Sequence, residues 1–259
     1  MIHNEHVHVA FKKFQLKDIH IELKNGYTYG LIGRNGAGKS TWLKTLIGLY
    51  PPTSGQITFD GEPIQPAVLE RMSIIHDRLP VNGEYKLKQL LPIMRASYPT
   101  WDDAQFYASC EHYQLPLNKK LKHFSKGMQM KAQFALAFSR QADYLMMDEP
   151  TAGLDPVARR QFVDGLRNWL AKDEQRTIIF STHLTTDLEQ FADYILLMDE
   201  GELRFCLPVD EIEERFVVVR GFKEQMNEEL RLQLPLLDWK GERFSTLVDR
   251  SQIPVPPHL

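Results

Sequence analysis

One stretch narrows the folds open to this chain more than any other. GRNGAGKST, residues 33 to 41, directly follows the apolar run YTYGLI (27–32) and directly precedes WLKTLIGL (42–49). The first run reads as a strand and the second as the body of a helix. The join is therefore a strand–loop–helix turn built of glycines, one lysine and two hydroxyls. Gly33, Gly38, Lys39 and Ser40 fit the spacing G-x-x-x-x-G-K-[ST]. Glycine lets backbone N–H groups close around clustered phosphates, and the helix that follows points its positive end at them. Gly33, Asn35, Gly36, Ala37 and Gly38 are expected to cradle a nucleoside triphosphate. Lys39 reaches the β- and γ-phosphates, the Ser40 hydroxyl ligates Mg²⁺, and Thr41 stands beside it.

The rest of the chain agrees with a sheet that can present such a turn. VHVA (7–10), IHIEL (19–23), QITFD (56–60), MSII (72–75), YLMM (144–147), TIIF (177–180) and YILLM (194–198) read as strands. Those apolar throughout predict a sheet covered on both faces, and helical segments between them predict a mostly parallel one. Residues 86 to 141 differ. KLKQLLPIMRASY, WDDAQFYASCEHY and KGMQMKAQFALAFSR form three expected helices and carry almost no strand signal, so they read as an insert. After about residue 205 the pattern weakens. FVVVRG (216–221) is expected as a strand, KEQMNEELRL (223–232) as a helix, and IPVPPHL as an extended tail.

With 259 residues, 43% of them hydrophobic, the core needs no disulfide or metal staple. Cys110 and Cys206 lie far apart and in no metal-ligand spacing, which favours a reducing compartment. The net charge of −3 argues against broad electrostatic capture of nucleic acid. No apolar run approaches the roughly 18 residues that span a bilayer. The N-terminal MIHNEHVHVAFKKF has no signal-peptide core. The expectation is a soluble chain, or one held at a membrane through a partner.

YLMMDEP (144–150) ends an apolar strand in two carboxylates. Asp148 suits a Mg²⁺ contact. Glu149, expected on the opposite side by strand alternation, suits a base that polarises the attacking water. FSTH (180–183) ends another strand. His183 could bond the γ-phosphate or the water, although a lone histidine after a strand is more often structural.

Between these sites lies FSKGM (124–128), which resembles the LSGGQ signature of ABC ATPases. The order GRNGAGKST, helical insert, FSKGM, YLMMDEP, TAGLD (151–155) and STH is also similar to that family over roughly residues 5 to 205. The resemblance implies an α/β P-loop NTPase (RecA-like) with a mostly parallel sheet core, an antiparallel β subdomain and an inserted helical subdomain. Residues 1–205 would be the ATPase domain, with the insert at about 86–141. Residues 206–259 would be a small extension with a proline-rich tail.

The resemblance further implies that two ATPase subunits clamp two ATP molecules head to tail. Ser125 and Gly127 match the signature positions that contact the γ-phosphate across the dimer. Ser125 also fits a helix N-cap, which uses the same geometry. Asp155 matches the interface loop, Glu149 the catalytic base and His183 the switch histidine. Lys126 and Met128 replace a glycine and a glutamine of the consensus. This SKGM form resembles bacterial ATPases of antibiotic export and cell-envelope transport. The family's glutamine after MSII is missing. Asp77 stands in its place, read either as a third Mg²⁺-facing oxygen or as a surface turn residue. Phe11, with Phe14 as the alternative, would stack on adenine.

The function so implied is the ATP-hydrolysing subunit of an ABC transporter, working on a separate membrane-spanning permease. It would sit peripherally on the cytoplasmic face of the membrane and serve export. A soluble ABC-type ATPase acting on nucleic acid or ribosomes is the alternative, and a small-molecule kinase a weaker one that leaves FSKGM and TAGLD unexplained. His3, His6 and His8 read as solvated strand residues, and Trp101, Phe106 and Tyr107 as packing within the insert.

Overall fold

The apolar runs become strands because each has a face, or two, to bury. The structure is a computed structural model that describes residues 1–76, 79–183, 188, 191–226 and 238–250. The chain divides into two compact units, Met1–Cys206 and Leu207–Leu259.

The first unit holds two sheets. β1 (Ile2–Ala10), β2 (Gln15–Leu23), β4 (Ser54–Phe59) and β5 (Glu62–Pro63) form one sheet in the order β2-β1-β4-β5, with antiparallel pairing throughout. β3 (Thr28–Ile32), β6 (Met72–Ile75), β7 (Tyr144–Asp148), β8 (Thr177–Ser181), β9 (Tyr194–Asp199) and β10 (Glu202–Pro208) form the other, in the order β10-β9-β3-β8-β7-β6. There β3 runs parallel to β8 and β9, and β7 runs parallel to β6 and β8. Every residue of β8 is buried, as are Thr28–Leu31 and Tyr144–Met147. That two-sided burial is why these strands read as continuous apolar runs.

The helices of this unit with described bounds are α1 (Lys39–Leu46), α2 (Pro66–Glu70), α3 (Leu87–Ser97), α4 (Asp103–His112), α5 (Lys126–Phe138) and α6 (Pro156–Leu170). α1 joins the two sheets. Its Trp42 is fully buried and donates its indole N–H to the equally buried Asn4 of β1 at 3.0 Å. α5 is stitched to β6 and its exit. Gln133, 4% exposed, accepts the His76 N–H at 2.9 Å and donates to the His76 carbonyl at 2.9 Å. Ser73 donates to the Ala137 carbonyl at 3.2 Å. In the helical segment Phe106 is buried, Trp101 tilts against it at 5.5 Å, and Tyr107 meets it edge-on at 5.7 Å while staying 45% exposed.

β1 and β2 extend further toward the N-terminus than the sequence reading places them. Bulges at His6 and Asp18, both at φ 49°, break the alternation there. His6 lies 2.6 Å from Asp18 and stacks on His20 at 4.6 Å. Among the described residues no group of three or more His, Cys, Asp or Glu is placed to hold a metal ion.

The second unit contains α7 (Val209–Arg215) and an antiparallel sheet of β11 (Phe216–Phe222), β13 (Arg243–Asp249) and β12 (Asp238–Lys240), in the order β11-β13-β12. Lys223–Gln225 form a single 3₁₀ turn where the sequence reading starts a helix. Residues 227–232 of that expected helix, and the tail from 253, lie outside the described residues. Among the described residues no helix is long and apolar enough to cross a membrane.

Candidate active site

The turn after β3 is shaped by what its glycines lack. Gly38 caps α1 at φ 112°, and a Cβ there would lie 2.8 Å from Phe14 Cζ and 2.9 Å from Leu16 Cδ2. A Cβ on Gly33 would lie 2.1 Å from the Met198 carbonyl oxygen at the end of β9. A side chain at Gly33 would strike backbone, and one at Gly38 would have to displace side chains at a strained φ. The loop is also pinned through its backbone. Gly201, in the turn between β9 and β10, donates its N–H to the Ala37 carbonyl at 2.9 Å, and Ala37 donates to Arg34 at 3.1 Å. The Lys39 ammonium donates to the carbonyls of Gly33 at 2.8 Å and Arg34 at 3.2 Å. No side chain caps α1, and its first turn holds no acidic residue. Its leading N–H groups, which no helix can satisfy internally, are left without a side-chain cap.

A cavity of about 600 Å³ opens over this turn, bordered by Asn35, Gly36, Gly38, Lys39, Ser40 and Thr41 below and by Glu149 at one side. Phe11, Phe14 and Tyr50 make its aromatic wall. Phe11 is 44% exposed and meets Tyr50 edge-on, with ring centroids 5.2 Å apart. Tyr50 escaped the sequence reading, since it sits in a turn, LYPPTSG, that carries no motif. An aromatic directly after α1 was the available signal.

The carboxylates arrive from β7. Asp148 closes that strand and accepts the Ser181 hydroxyl at 2.6 Å. Glu149 is not a strand neighbour facing the other way, as alternation predicts. It lies beyond the strand at φ 51°, and its N–H donates to the Ser181 hydroxyl at 2.9 Å and carbonyl at 3.2 Å. Ser181, at the end of β8 and unsuspected from sequence, therefore holds the Asp148 carboxylate and the Glu149 backbone at once. His183 follows two residues later, with Nδ1 2.5 Å from Glu149 Oε2. Ser40 and Asp148 border a second, small cavity beside β6 and β7. Asp77 lies outside the described residues.

The signature segment starts another helix. Ser125 is exposed, caps α5 and accepts the Met128 N–H at 3.2 Å. Lys126 is exposed, Gly127 is half-buried, and only Phe124 of FSKGM is buried. Asp155 caps α6, accepting N–H groups from Val157 at 2.9 Å and Ala158 at 2.8 Å. The Ala158 N–H foremost holds its carboxyl below the usual aspartate range.

A glycine cradle at a helix start, a lysine in it, and a carboxylate pair at the end of a parallel strand one removed in the same sheet define a P-loop nucleoside triphosphatase. The family described as ABC transporter matches residues 16–152. The ABC transporter ATP-binding protein YtrB of Bacillus subtilis (strain 168) is 29% identical over 240 residues, covering 91% of this chain and 82% of that protein. The bacitracin transport ATP-binding protein BcrA of Bacillus licheniformis is 31% identical over 207 residues, covering 76% and 66%. A solved structure, that of an ATP binding subunit of an ABC transporter, superposes with a TM-score of 0.75 at 25% identity and covers 83% of this chain and 92% of its own. The chain belongs to the ABC transporter family and is the ATP-binding, ATP-hydrolysing subunit of such a transporter.

Proposed function

We propose that the cavity over residues 33–41 binds ATP with its phosphates on the loop amides and its base against Phe11, Phe14 and Tyr50. The observation that carries this reading is that Glu149 borders the same cavity as Lys39 and Ser40 while His183 holds its carboxylate. Glu149 accepts a proton from the attacking water, and His183 orients Glu149 through Nδ1. Lys39 exchanges its two loop carbonyls for phosphate oxygens.

The donors for Mg²⁺ fit that ion's preference for oxygen and for few protein ligands beside substrate phosphates. The Ser40 hydroxyl and the Asp148 carboxylate would hold it, and Ser181 aims the latter. When bound, the ion neutralises charge on the β- and γ-oxygens.

The exposed start of α5 supports a dimer in which Ser125 and Gly127 of one subunit close on the nucleotide of the other, with Asp155 at the same face. The partner ATPase is a second copy or a related chain. The membrane-spanning partner is a separate permease, docked near Asp77, so the subunit sits peripherally on the cytoplasmic face. Export is supported by the SKGM form and by the likeness to a bacitracin transport protein. The acidic net charge disfavours action on nucleic acid.

The test is Glu149→Gln. The variant should bind ATP, hydrolyse it about 10²–10⁴-fold more slowly and accumulate as an ATP-bound dimer on a sizing column. Parent-like turnover would remove Glu149 from the role.

A further inference from the structure

α5 opens against the loop that joins β7 to α6. At the point where a Gly153 side chain would begin, the three nearest atoms all belong to Lys126: Nζ at 3.1 Å, Cδ at 3.4 Å and Cε at 3.6 Å. Gly153 itself is at φ 74°. The end of the Lys126 side chain therefore lies against bare backbone, where a Cβ on residue 153 would crowd it. Farther along α5, the charge of Lys131 acts on Asp155 at the far end of the same loop. The loop is a chain of tight turns. Ala152 donates its N–H to the Glu149 carbonyl at 3.1 Å, and Leu154 donates to Thr151 at 3.1 Å. Pressure on Gly153 is thus felt by turns that begin at Glu149 and end at Asp155. α5 offers a fixed support, since Gln133 and Ser73 tie it to β6 and its exit.

We propose that Lys126 is a positioning residue, its methylene stem strapping the 151–155 loop to the start of α5. The apolar stem does the packing, as long cationic side chains do when they lie along a surface. The consensus signature has a glycine here and can make no such contact, so the strap belongs to the SKGM form of this chain. The inference rests on the head-to-tail reading: the start of α5 faces the partner's nucleotide and Glu149 faces its own. The strap then makes the two sites of a dimer answer to one another through a single subunit.

The test compares Lys126→Ala, Lys126→Gly and Lys126→Met in the full chain, each checked by its melting curve for parent-like folding. Ala and Gly should lower kcat for ATP about tenfold while KM stays within about twofold, because the base is displaced and the nucleotide site is not. Met keeps an unbranched stem without charge and should restore kcat. An Ala variant with parent kcat overturns the strap. A Met variant as slow as Ala also overturns it, since the ammonium rather than the stem would then matter. Glu149→Gln, run alongside, separates the readings. If it forms no ATP-bound dimer yet kcat follows the Ala and Met pattern, the head-to-tail arrangement fails and the strap stands. If the dimer forms and the pattern is absent, the strap alone fails.

Discussion

Helix α1 starts behind Gly38 with no side chain on its first amides, whereas α6 starts behind Asp155, whose carboxylate takes two of them. Every helix leaves its leading N–H groups without internal partners. Asp155 satisfies them from within and places negative charge at the positive end of the helix. That is favourable for folding and closes the position to an incoming anion. Gly38 leaves the same groups without a side-chain cap, at a backbone angle other residues rarely adopt. Between the two extremes stands α5, where the neutral Ser125 takes one amide and adds no charge. Three helix starts in one unit thus grade from open to closed toward phosphate.

The largest effect belongs to the open end. Lys39→Ala should lower ATP hydrolysis by about 10²–10³-fold, read as phosphate release, because the cation aimed at the developing charge is gone. A variant running at half the parent rate would break the comparison outright. Next is Gly38→Ala, which sets a Cβ against Phe14 and Leu16 at a strained φ. It should lower stability by about 1–3 kcal/mol in a denaturant titration and weaken ATP binding together. Ser125→Ala should cost about 1 kcal/mol of stability as a lost cap. Its affinity for ATP as a monomer should stay that of the parent, while the ATP-driven dimer weakens.

The smallest effect is at the closed end and depends on pH. The Asp155 carboxyl titrates lower in the folded protein than in the unfolded chain, the Ala158 N–H being the main cause. Its contribution to stability is therefore full above about pH 4 and is lost as pH falls below that. Asp155→Asn keeps a good cap but removes this acid dependence. Melting temperatures of the two proteins should converge as pH drops from neutral toward 3, by this linkage. Curves that stay parallel would mean the carboxylate adds nothing beyond its shape.

Much of the site was legible because spacing alone specifies it. The spacing of residues 33–41 stood out between a strand and a helix, Asp148 and Glu149 stood out at the end of an apolar strand, and His183 gained its role only from the resemblance to ABC ATPases. Their mutual geometry could not be read. Ser181, which holds the Asp148 carboxylate and the Glu149 backbone, is one more hydroxyl at a strand end, and its partners lie more than thirty positions away. Tyr50 shares the cavity wall with Phe11, the residue after β1, through an edge-on ring contact that their separation in sequence hides. Strands buried on both faces stood out. The half-buried ones did not. In β13, Phe244, Thr246 and Val248 alternate inward, but one of the three is polar and the signal falls below notice. The start of β1 is hidden similarly, where HNEH mixes a buried asparagine with a bulged histidine.

Gly201 holds the Ala37 carbonyl, and the Met198 carbonyl presses where Gly33 has no side chain. The 33–38 loop is thus braced on the β9–β10 hairpin largely through main-chain atoms. Fixing a residue's backbone costs roughly 1–2 kcal/mol of entropy, and here that ordering happens when the chain folds rather than when a nucleotide arrives. A ligand meeting a cavity already in shape keeps more of its contact energy as affinity. Tightening or loosening a hairpin turn remote from the chemistry would then tune how firmly ATP is held, with no contacting side chain altered.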